Sequence, residues 1–100
     1  GPRAALKVTE ITADRLKVLH PAMSSDAAAA GNLDASVQIR AHGGVVACTA
    51  RVDLARDVMT LTLKESLEGV ARGQAAVLYL PDPDGLGDVV IGSGTICAST

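Results

Sequence analysis

Residues 35–63 read ASVQIRAHGGVVACTARVDLARDVMTLTL, and this segment decides the fold. Apolar and polar side chains alternate along three runs, 35–41, 45–52 and 58–63, as they do in strands with one buried face. Gly43-Gly44 separates the first two runs, because two glycines accept the positive φ angles of a tight hairpin. The polar stretch 53–57 forms the next turn. The side chains predicted to face inward are Val37, Ile39, Ala41, Val46, Cys48, Ala50, Val52, Met59, Leu61 and Leu63.

Two more strands are predicted toward the C-terminus. Residues 74–80 are nearly all apolar, which indicates a strand covered on both faces. Residues 81–85 are rich in turn formers, and residues 88–97 complete the series. Gly92 and Gly94 share one face of the last strand, where the sheet bends or another strand packs closely. Five regularly spaced strands without a helix predict an all-β fold, a small closed or nearly closed antiparallel barrel over residues 35–100.

The N-terminal third has a less regular pattern. Residues 6–11 and 15–19 are short β-prone runs joined by Thr12-Ala13-Asp14, which predicts a β-hairpin within residues 1–20. Residues 21–34 are rich in Ala, Ser, Asp, Gly and Asn and have no usable periodicity. We interpret them as a loop or linker and as the domain boundary. The predicted organisation is therefore a hairpin, a linker and a barrel.

The composition excludes several modes of binding. Hydrophobic residues make up 48% of the chain, yet Phe and Trp are absent and Tyr79 is the single aromatic residue. Base stacking on single-stranded nucleic acid needs several exposed rings, and a methyl-lysine cage needs them too. Nine basic and eleven acidic side chains give a net charge of −2, so the chain is not a free-standing polyanion binder. Contact with a folded RNA through phosphates and shape is still compatible with this composition.

No reactive cysteine, metal site or membrane segment is expected. Cys48 and Cys97 lie far apart, without a CxxC pair or a neighbouring histidine cluster, which argues against zinc. Both lie in apolar strand runs, where a thiol is usually buried and inert. The chain shows no signal peptide, and its apolar runs are far shorter than the roughly 20 residues of a membrane helix. We therefore expect free thiols, no membrane partner and a cytoplasmic location.

Basic side chains form the candidate binding group. Arg40 and Arg51 are predicted to face outward on the two strands that flank Gly43-Gly44, close to each other and to His42. Arg56 lies in the following turn. These four residues are candidate phosphate contacts, because phosphate affinity grows with the number of charges neutralised. Taken singly, each fits better the simpler interpretation of a solvated surface side chain.

Three segments together resemble a known family. Residues 73–79 read GQAAVLY, residues 90–96 read VIGSGTI and residues 35–40 read ASVQIR. In this order they resemble the C-terminal barrel of tRNA-specific 2-thiouridylases, where a G-Q-A-A-V-x-Y strand precedes a glycine-rich G-x-G-x-I strand. The resemblance covers about residues 35–98, and residues 5–19 look like the last hairpin of the family's central domain. It implies a barrel similar to the second domain of translation elongation factors.

The resemblance implies an accessory function. The family enzyme replaces the 2-oxygen of the tRNA wobble uridine with sulfur. It uses ATP and magnesium, a sulfur-donor protein and two catalytic cysteines outside the barrel. Neither Cys48 nor Cys97 matches a catalytic position, so the resemblance implies no catalytic residue, cofactor or metal in this chain. The expected function is to help bind and position the tRNA.

The resemblance also assigns a contact residue. Arg40 is carried over as an RNA contact, but many relatives continue with an aromatic residue and further basic or amide residues. This chain has Ala41-His42-Gly43-Gly44 instead, which moves the expected contact toward His42, Arg51 and Arg56. The alternative is a protein-interaction or structural barrel of the translation-factor type that does not touch RNA.

Overall fold

Antiparallel strands close into a barrel in the computed structural model, which describes residues 7–39, 44–85 and 87–100. The elements are β1 Lys7–Val18, a 3-10 helix Pro21–Ser24, α1 Asp26–Ala30, β2 Leu33–Ile39, β3 Val45–Asp53, β4 Val58–Glu68, β5 Ala75–Pro81 and β6 Asp88–Ser99. Around the barrel the order is β1-β4-β3-β2-β5-β6, and β6 pairs with β1. The predicted all-β antiparallel barrel is confirmed. Neither helix of the described residues has the length or apolar character to cross a membrane.

Small and medium-sized aliphatic side chains fill the interior of the barrel. Every residue predicted to face inward on β2, β3 and β4 is buried, except Ala41, which lies outside the described residues. The prediction succeeds because successive side chains of a strand point to opposite faces. Each square ångström of apolar surface removed from water contributes about 25 cal/mol. The largest fully buried side chains include Ile11, Met23, Ile39, Met59, Leu61 and Leu78.

Residues 7–18 form one continuous strand, so the predicted hairpin within residues 1–20 is wrong. β1 pairs with β4 on one side and with β6 on the other, and it is therefore part of the barrel wall. Arg15 has a φ of +52°, and the register with β6 shifts between Asp14 and Lys17. A β-bulge of this kind breaks the alternation of side chains without reversing the chain. The bulged strand therefore has the sequence pattern of two short strands.

The turn between β3 and β4 holds this bulge. Asp57 has a φ of +57°, and its Oδ1 accepts a hydrogen bond from the Leu16 N–H at 3.0 Å. Leu16 has no partner residue in either ladder of β1, so the carboxylate satisfies a donor that the bulge releases. The bulge and the turn therefore stabilise each other.

Residues 21–34, predicted as a loop or linker, contain two short helices that pack on the barrel. The Nδ1 of His20 accepts the Ala22 N–H at 3.0 Å and caps the 3-10 helix. The Ser25 Oγ accepts the Ala28 N–H at 3.1 Å and caps α1, which ends at Gly31 with a φ of +81°. Ala28 is buried, and Leu33 already begins β2. His20 therefore has a structural role.

Gly92 and Gly94 let β1 approach β6 closely, as their spacing predicts. A Cβ added at Gly92 would lie 2.5 Å from the carbonyl oxygen of Lys17 and 3.1 Å from the Cε of Met23. A Cβ added at Gly94 would lie 3.0 Å from the Cβ of Ala13. Close-packed interiors cannot absorb such contacts without displacement. The two glycines therefore allow β1 and β6 to pack closely where the barrel closes.

Candidate nucleic-acid interface

The four predicted RNA contacts fall into two groups. Arg40 and His42 lie outside the described residues, whereas Arg51 lies on β3 and Arg56 in the turn after it. Arg51 is seven residues beyond Gly44, which is about 23 Å along an extended strand. The alternation correctly places Arg51 on the outer face, whereas its expected closeness to Arg40 and His42 involves residues outside the described ranges. Arg51 follows Ala50, the partner of Leu33 at the start of β2, so it lies at the end of β3 that is remote from Gly44.

Arg51 lies beside the end of α1. A Cβ built at Gly31 would be 3.5 Å from the Cβ of Arg51 and 3.6 Å from its Cγ and Cδ, so the aliphatic stem contacts the helix end. The side chain is exposed, and within the described residues no carboxylate forms an ion pair with it. Its guanidinium donors are therefore open to an external anion.

Threonine hydroxyls surround Arg51 on the outer face of β1, β4 and β3. Arg51 lies opposite Thr60 in one cross-strand row. In the adjacent row Thr49 lies opposite Thr62, and Thr62 lies opposite Glu10. These residues line an open cleft of about 300 Å³, which we call the threonine cleft. Its lining consists of Glu10, Ala30, Gly31, Thr49, Arg51, Thr60 and Thr62.

The threonine cleft can bind a phosphate or a ribose. A hydroxyl both donates and accepts hydrogen bonds, and a guanidinium donates two parallel bonds to a phosphate. Glu10 brings a negative charge on the β1 side, so an anion fits best on the Arg51 side. The Thr49 hydroxyl donates to the Oδ1 of Asp34 at 3.4 Å. Within the described residues the lining contains no histidine or cysteine, and no base is paired with a nucleophile there.

Arg56 is held only loosely. Its Nε lies 3.8 Å from the Oδ2 of Asp53, and the two side chains are 83% and 46% exposed. The Arg56 N–H also donates to the Oδ1 of Asp53 at 3.1 Å, which shapes the turn. Exposed ion pairs of this kind contribute little stability and are screened by salt. The charge of Arg56 is therefore available to an external anion at little cost.

A second groove adjoins Arg51. It has a volume of about 310 Å³ and lies between the 3-10 helix, α1 and the end of β3. Its lining contains both apolar and polar side chains, and one of them, Leu54, is 45% exposed. Arg51 lines both the groove and the threonine cleft and therefore lies between them.

The two cysteines have structural positions. Burial raises the pKa of the Cys48 thiol from its ordinary 9.0 to about 11; nearby Lys64 opposes this and Asp34 adds to it. The thiol is therefore neutral and unreactive near pH 7, as predicted. The Cys97 thiol donates to the carbonyl oxygen of Thr12 at 3.4 Å. Both cysteines are free, and no group of three or more candidate metal ligands occurs in the described residues.

The sequence pattern missed the threonine cleft as a site. It correctly placed Thr60 and Thr62 on the outer side of β4, but the strand order brings β1 next to β4 rather than to β2. That pairing joins Glu10 to the threonines across 52 positions of sequence. No local pattern encodes a contact of that range.

The fold and the cleft identify the kind of domain. A closed antiparallel barrel with a polar cleft, and without a catalytic cluster in the described ranges, is a small β-barrel domain. The model of one family, described as the aminomethyltransferase beta-barrel domain, matches residues 8–96. The chain belongs to this family.

Curated relatives are tRNA-specific 2-thiouridylases of corynebacteria. The chain is 64% identical over 99 residues to tRNA-specific 2-thiouridylase MnmA of Corynebacterium aurimucosum, covering 99% of this chain and 26% of that protein. For Corynebacterium efficiens the identity is 63% over 99% of this chain and 25% of the relative. For Corynebacterium glutamicum it is 61% over 97% and 24%. The chain thus spans about a quarter of the length of these relatives, and the resemblance drawn from the sequence is confirmed. No solved structure matches the chain.

Proposed function

We propose that this barrel is the C-terminal accessory domain of a tRNA-specific 2-thiouridylase and helps bind and position the tRNA for ATP-dependent 2-thiolation of the wobble uridine. The observation that carries the proposal is 64% identity, over 99% of the chain, to a protein named for that activity. On this proposal ATP, magnesium and the sulfur-donor protein bind outside the barrel. The barrel supplies binding energy and orientation rather than chemistry.

The threonine cleft supports an RNA contact of the backbone type. Folded RNA is recognised largely through phosphates, 2′-hydroxyls and shape, which needs cations and hydroxyls rather than aromatic rings. Arg51, which forms no ion pair within residues 7–39, 44–85 and 87–100, provides a cation, and the threonines provide donors and acceptors around it. Arg56 adds a second cation five residues further along the chain, in the turn after β3. Arg40 completes the proposed contact set from the sequence resemblance, and His42 joins it because this chain departs from the family pattern after Arg40.

The small net charge limits what the barrel can do alone. A formal charge of −2 gives no long-range attraction to a polyanion. One or two phosphate contacts contribute modestly, and they matter when a larger protein holds the same tRNA elsewhere. We therefore expect the 100-residue chain by itself to bind tRNA too weakly for function.

The test uses the full-length protein that contains this barrel. We expect Arg51→Ala and Arg56→Ala each to weaken tRNA binding, and to reduce the slope of log affinity against log salt by about 0.7 to 0.9 per lost phosphate contact. Arg51→Lys should keep the slope but lose affinity, because lysine keeps the charge without the planar fork. Filter binding over a range of salt concentrations measures both quantities.

Arg72→Ala is the matched control. Arg72 is an exposed arginine in the connection between β4 and β5 and lines neither the threonine cleft nor the groove. Equal tRNA affinities and salt slopes for Arg51→Ala, Arg56→Ala and Arg72→Ala would remove the RNA contact from this face. The barrel would then be a protein-interaction or structural module.

A further inference from the structure

The groove beside Arg51 and the threonine cleft adjoin along two elements. We call the former the α1 groove; its lining residues include Met23, Ala29, Val52, Asp53 and Leu54. On β3, Arg51 lines both cavities, and on α1, Ala29 lines the α1 groove while Ala30 lines the threonine cleft. The cavities have volumes of about 310 and 300 Å³, and sites for small ligands have about 300 to 1,000 Å³. One ligand that passes over Arg51 therefore has room in both.

The two cavities differ in chemistry. The threonine cleft offers hydroxyls, which donate and accept hydrogen bonds and suit a sugar or a phosphate. In the α1 groove, Met23 and Val52 belong to the hydrophobic core, while Ala29 and Leu54 are exposed. Covering such apolar surface with an apolar group is favourable. A ligand that fills both cavities therefore combines a hydroxylated or phosphorylated part with an apolar part.

Charge determines the place of a phosphate in this pair of cavities. Asp53 lines the α1 groove and Glu10 lines the threonine cleft, so each cavity also holds a carboxylate that repels an anion. A single phosphate fits beside the guanidinium of Arg51, whereas a triphosphate fits neither cavity. The carboxylate of Asp53 accepts the Arg56 N–H at 3.1 Å and has further lone pairs for N–H groups of a ligand. The charges therefore favour one phosphate flanked by neutral groups.

An RNA chain has this arrangement of groups at every phosphate. Each phosphate joins two riboses, and each ribose bears a 2′-hydroxyl and a flat base with apolar faces. A base enters a groove only when it is unpaired or leaves its stack, and proteins then hold it between aromatic or apolar side chains. The lack of Phe and Trp excludes stacking of a row of bases. A single base needs only one apolar groove.

We propose that the α1 groove holds the base of one unpaired tRNA nucleotide. Arg51 binds the phosphate of that nucleotide, and the threonine cleft receives the ribose on the other side of the phosphate. The inference rests on the proposed function, that the barrel contacts tRNA, and it adds a base contact to the contact with the backbone. The barrel thereby recognises an unpaired position of the tRNA as well as its charge.

Closing the α1 groove in the full-length protein tests the proposal. Ala29→Leu places a larger apolar side chain there without changing any charge, and leucine suits a helix nearly as well as alanine. Ala27→Leu is the matched control, because Ala27 is exposed on the same helix and lines neither cavity. We expect Ala29→Leu to lower tRNA affinity on the order of fivefold, the lower end of what a stacked base contributes to single-strand binding. The control should bind like the unsubstituted protein.

The salt dependence separates a base contact from a phosphate contact. The slope of log affinity against log salt should stay unchanged in Ala29→Leu, since no phosphate contact is lost. Leu54→Ser removes apolar surface from the turn after β3, outside α1, and should likewise lower the affinity at an unchanged slope. A loss in both variants cannot come from damage to the short helix.

Chemical probing of the bound tRNA identifies the base itself. Dimethyl sulfate and a carbodiimide together report the exposure of all four kinds of base. In complexes at saturating protein, we expect one base that the unsubstituted protein and Ala27→Leu protect and that Ala29→Leu leaves reactive.

Each contrary result overturns the proposal. Unchanged affinity and an unchanged probing pattern for Ala29→Leu would show that no base occupies the α1 groove. A reduced salt slope would assign the groove to a phosphate, and equal losses for Ala29→Leu and Ala27→Leu would assign the effect to the helix. Competition by micromolar nucleoside monophosphates would assign the site to a free nucleotide. If only this inference fails, Arg51→Ala still weakens tRNA binding, whereas if the barrel does not touch tRNA, neither Arg51→Ala nor Ala29→Leu changes it.

Discussion

Replacing Gly92 with alanine should destabilise the barrel although alanine suits a strand better than glycine. The added Cβ would lie 2.5 Å from the backbone oxygen of Lys17, which cannot rotate away, and 3.1 Å from the flexible Met23. Overpacking of this kind costs about 1 to 3 kcal/mol. The lower backbone entropy of unfolded alanine returns about 0.5 to 1 kcal/mol. We therefore expect a net loss of at most about 2.5 kcal/mol and centred near about 1 kcal/mol, which corresponds to about 4 to 8 °C in Tm for a domain of this size.

Urea denaturation of the 100-residue chain, followed by far-ultraviolet circular dichroism, measures this loss. Gly44→Ala is the matched control, because a Cβ there meets nothing within 4 Å and its φ is not in the left-handed region. That variant should be neutral or slightly stabilised. Equal unfolding midpoints for the two variants would refute the argument that β1 crosses too close to β6 for any side chain at position 92.

Two further stability predictions follow from the polar contacts of the barrel. Asp57→Ala should lower the free energy of unfolding by about 1 to 2 kcal/mol, because it removes the acceptor of the Leu16 N–H and leaves alanine at a φ of +57°. Asp57→Asn, which keeps an acceptor and tolerates that φ, should lose less than half as much in the same urea titration. Burial raises the pKa of Cys48 from 9.0 to about 11. The folded state keeps the thiol proton up to a higher pH than the unfolded state does. The free energy of unfolding should therefore fall between pH 9 and pH 11, by at most about 1.4 kcal/mol per pH unit. Cys48→Ala should remove this part of the slope, and an unchanged slope would contradict the assigned burial.

Strand alternation made β2, β3 and β4 predictable. One face of each strand is buried in a single core, so Val37, Cys48 and Leu61 follow the period of two without exception. The continuity of β1 could not be predicted in the same way, because its bulge is held by a hydrogen bond between Leu16 and Asp57, which is 41 positions away. The sequence near residue 15 therefore shows an interruption but not its cause.

The helix α1 was not predicted from the sequence, and the reason is energetic. A helix of five residues is unstable in isolation, since nucleation is unfavourable and few hydrogen bonds follow it. Its caps and the burial of Ala28 against the barrel stabilise it, and only the caps are visible in the sequence. The same limit applies to the threonine cleft. The outward direction of Arg51 follows from alternation, whereas its neighbours follow from the strand order.

Strand β3 fixes the direction of Arg51. Its inward residues Val46, Cys48, Ala50 and Val52 are buried in the core, and its outward residues Thr49 and Arg51 line the threonine cleft. A closed barrel of close-packed side chains does not bend easily. On the proposed function, the core therefore holds Arg51 in a fixed position on the barrel, and the proposed contact with the tRNA backbone depends on the packing beneath β3 as well as on the charge itself.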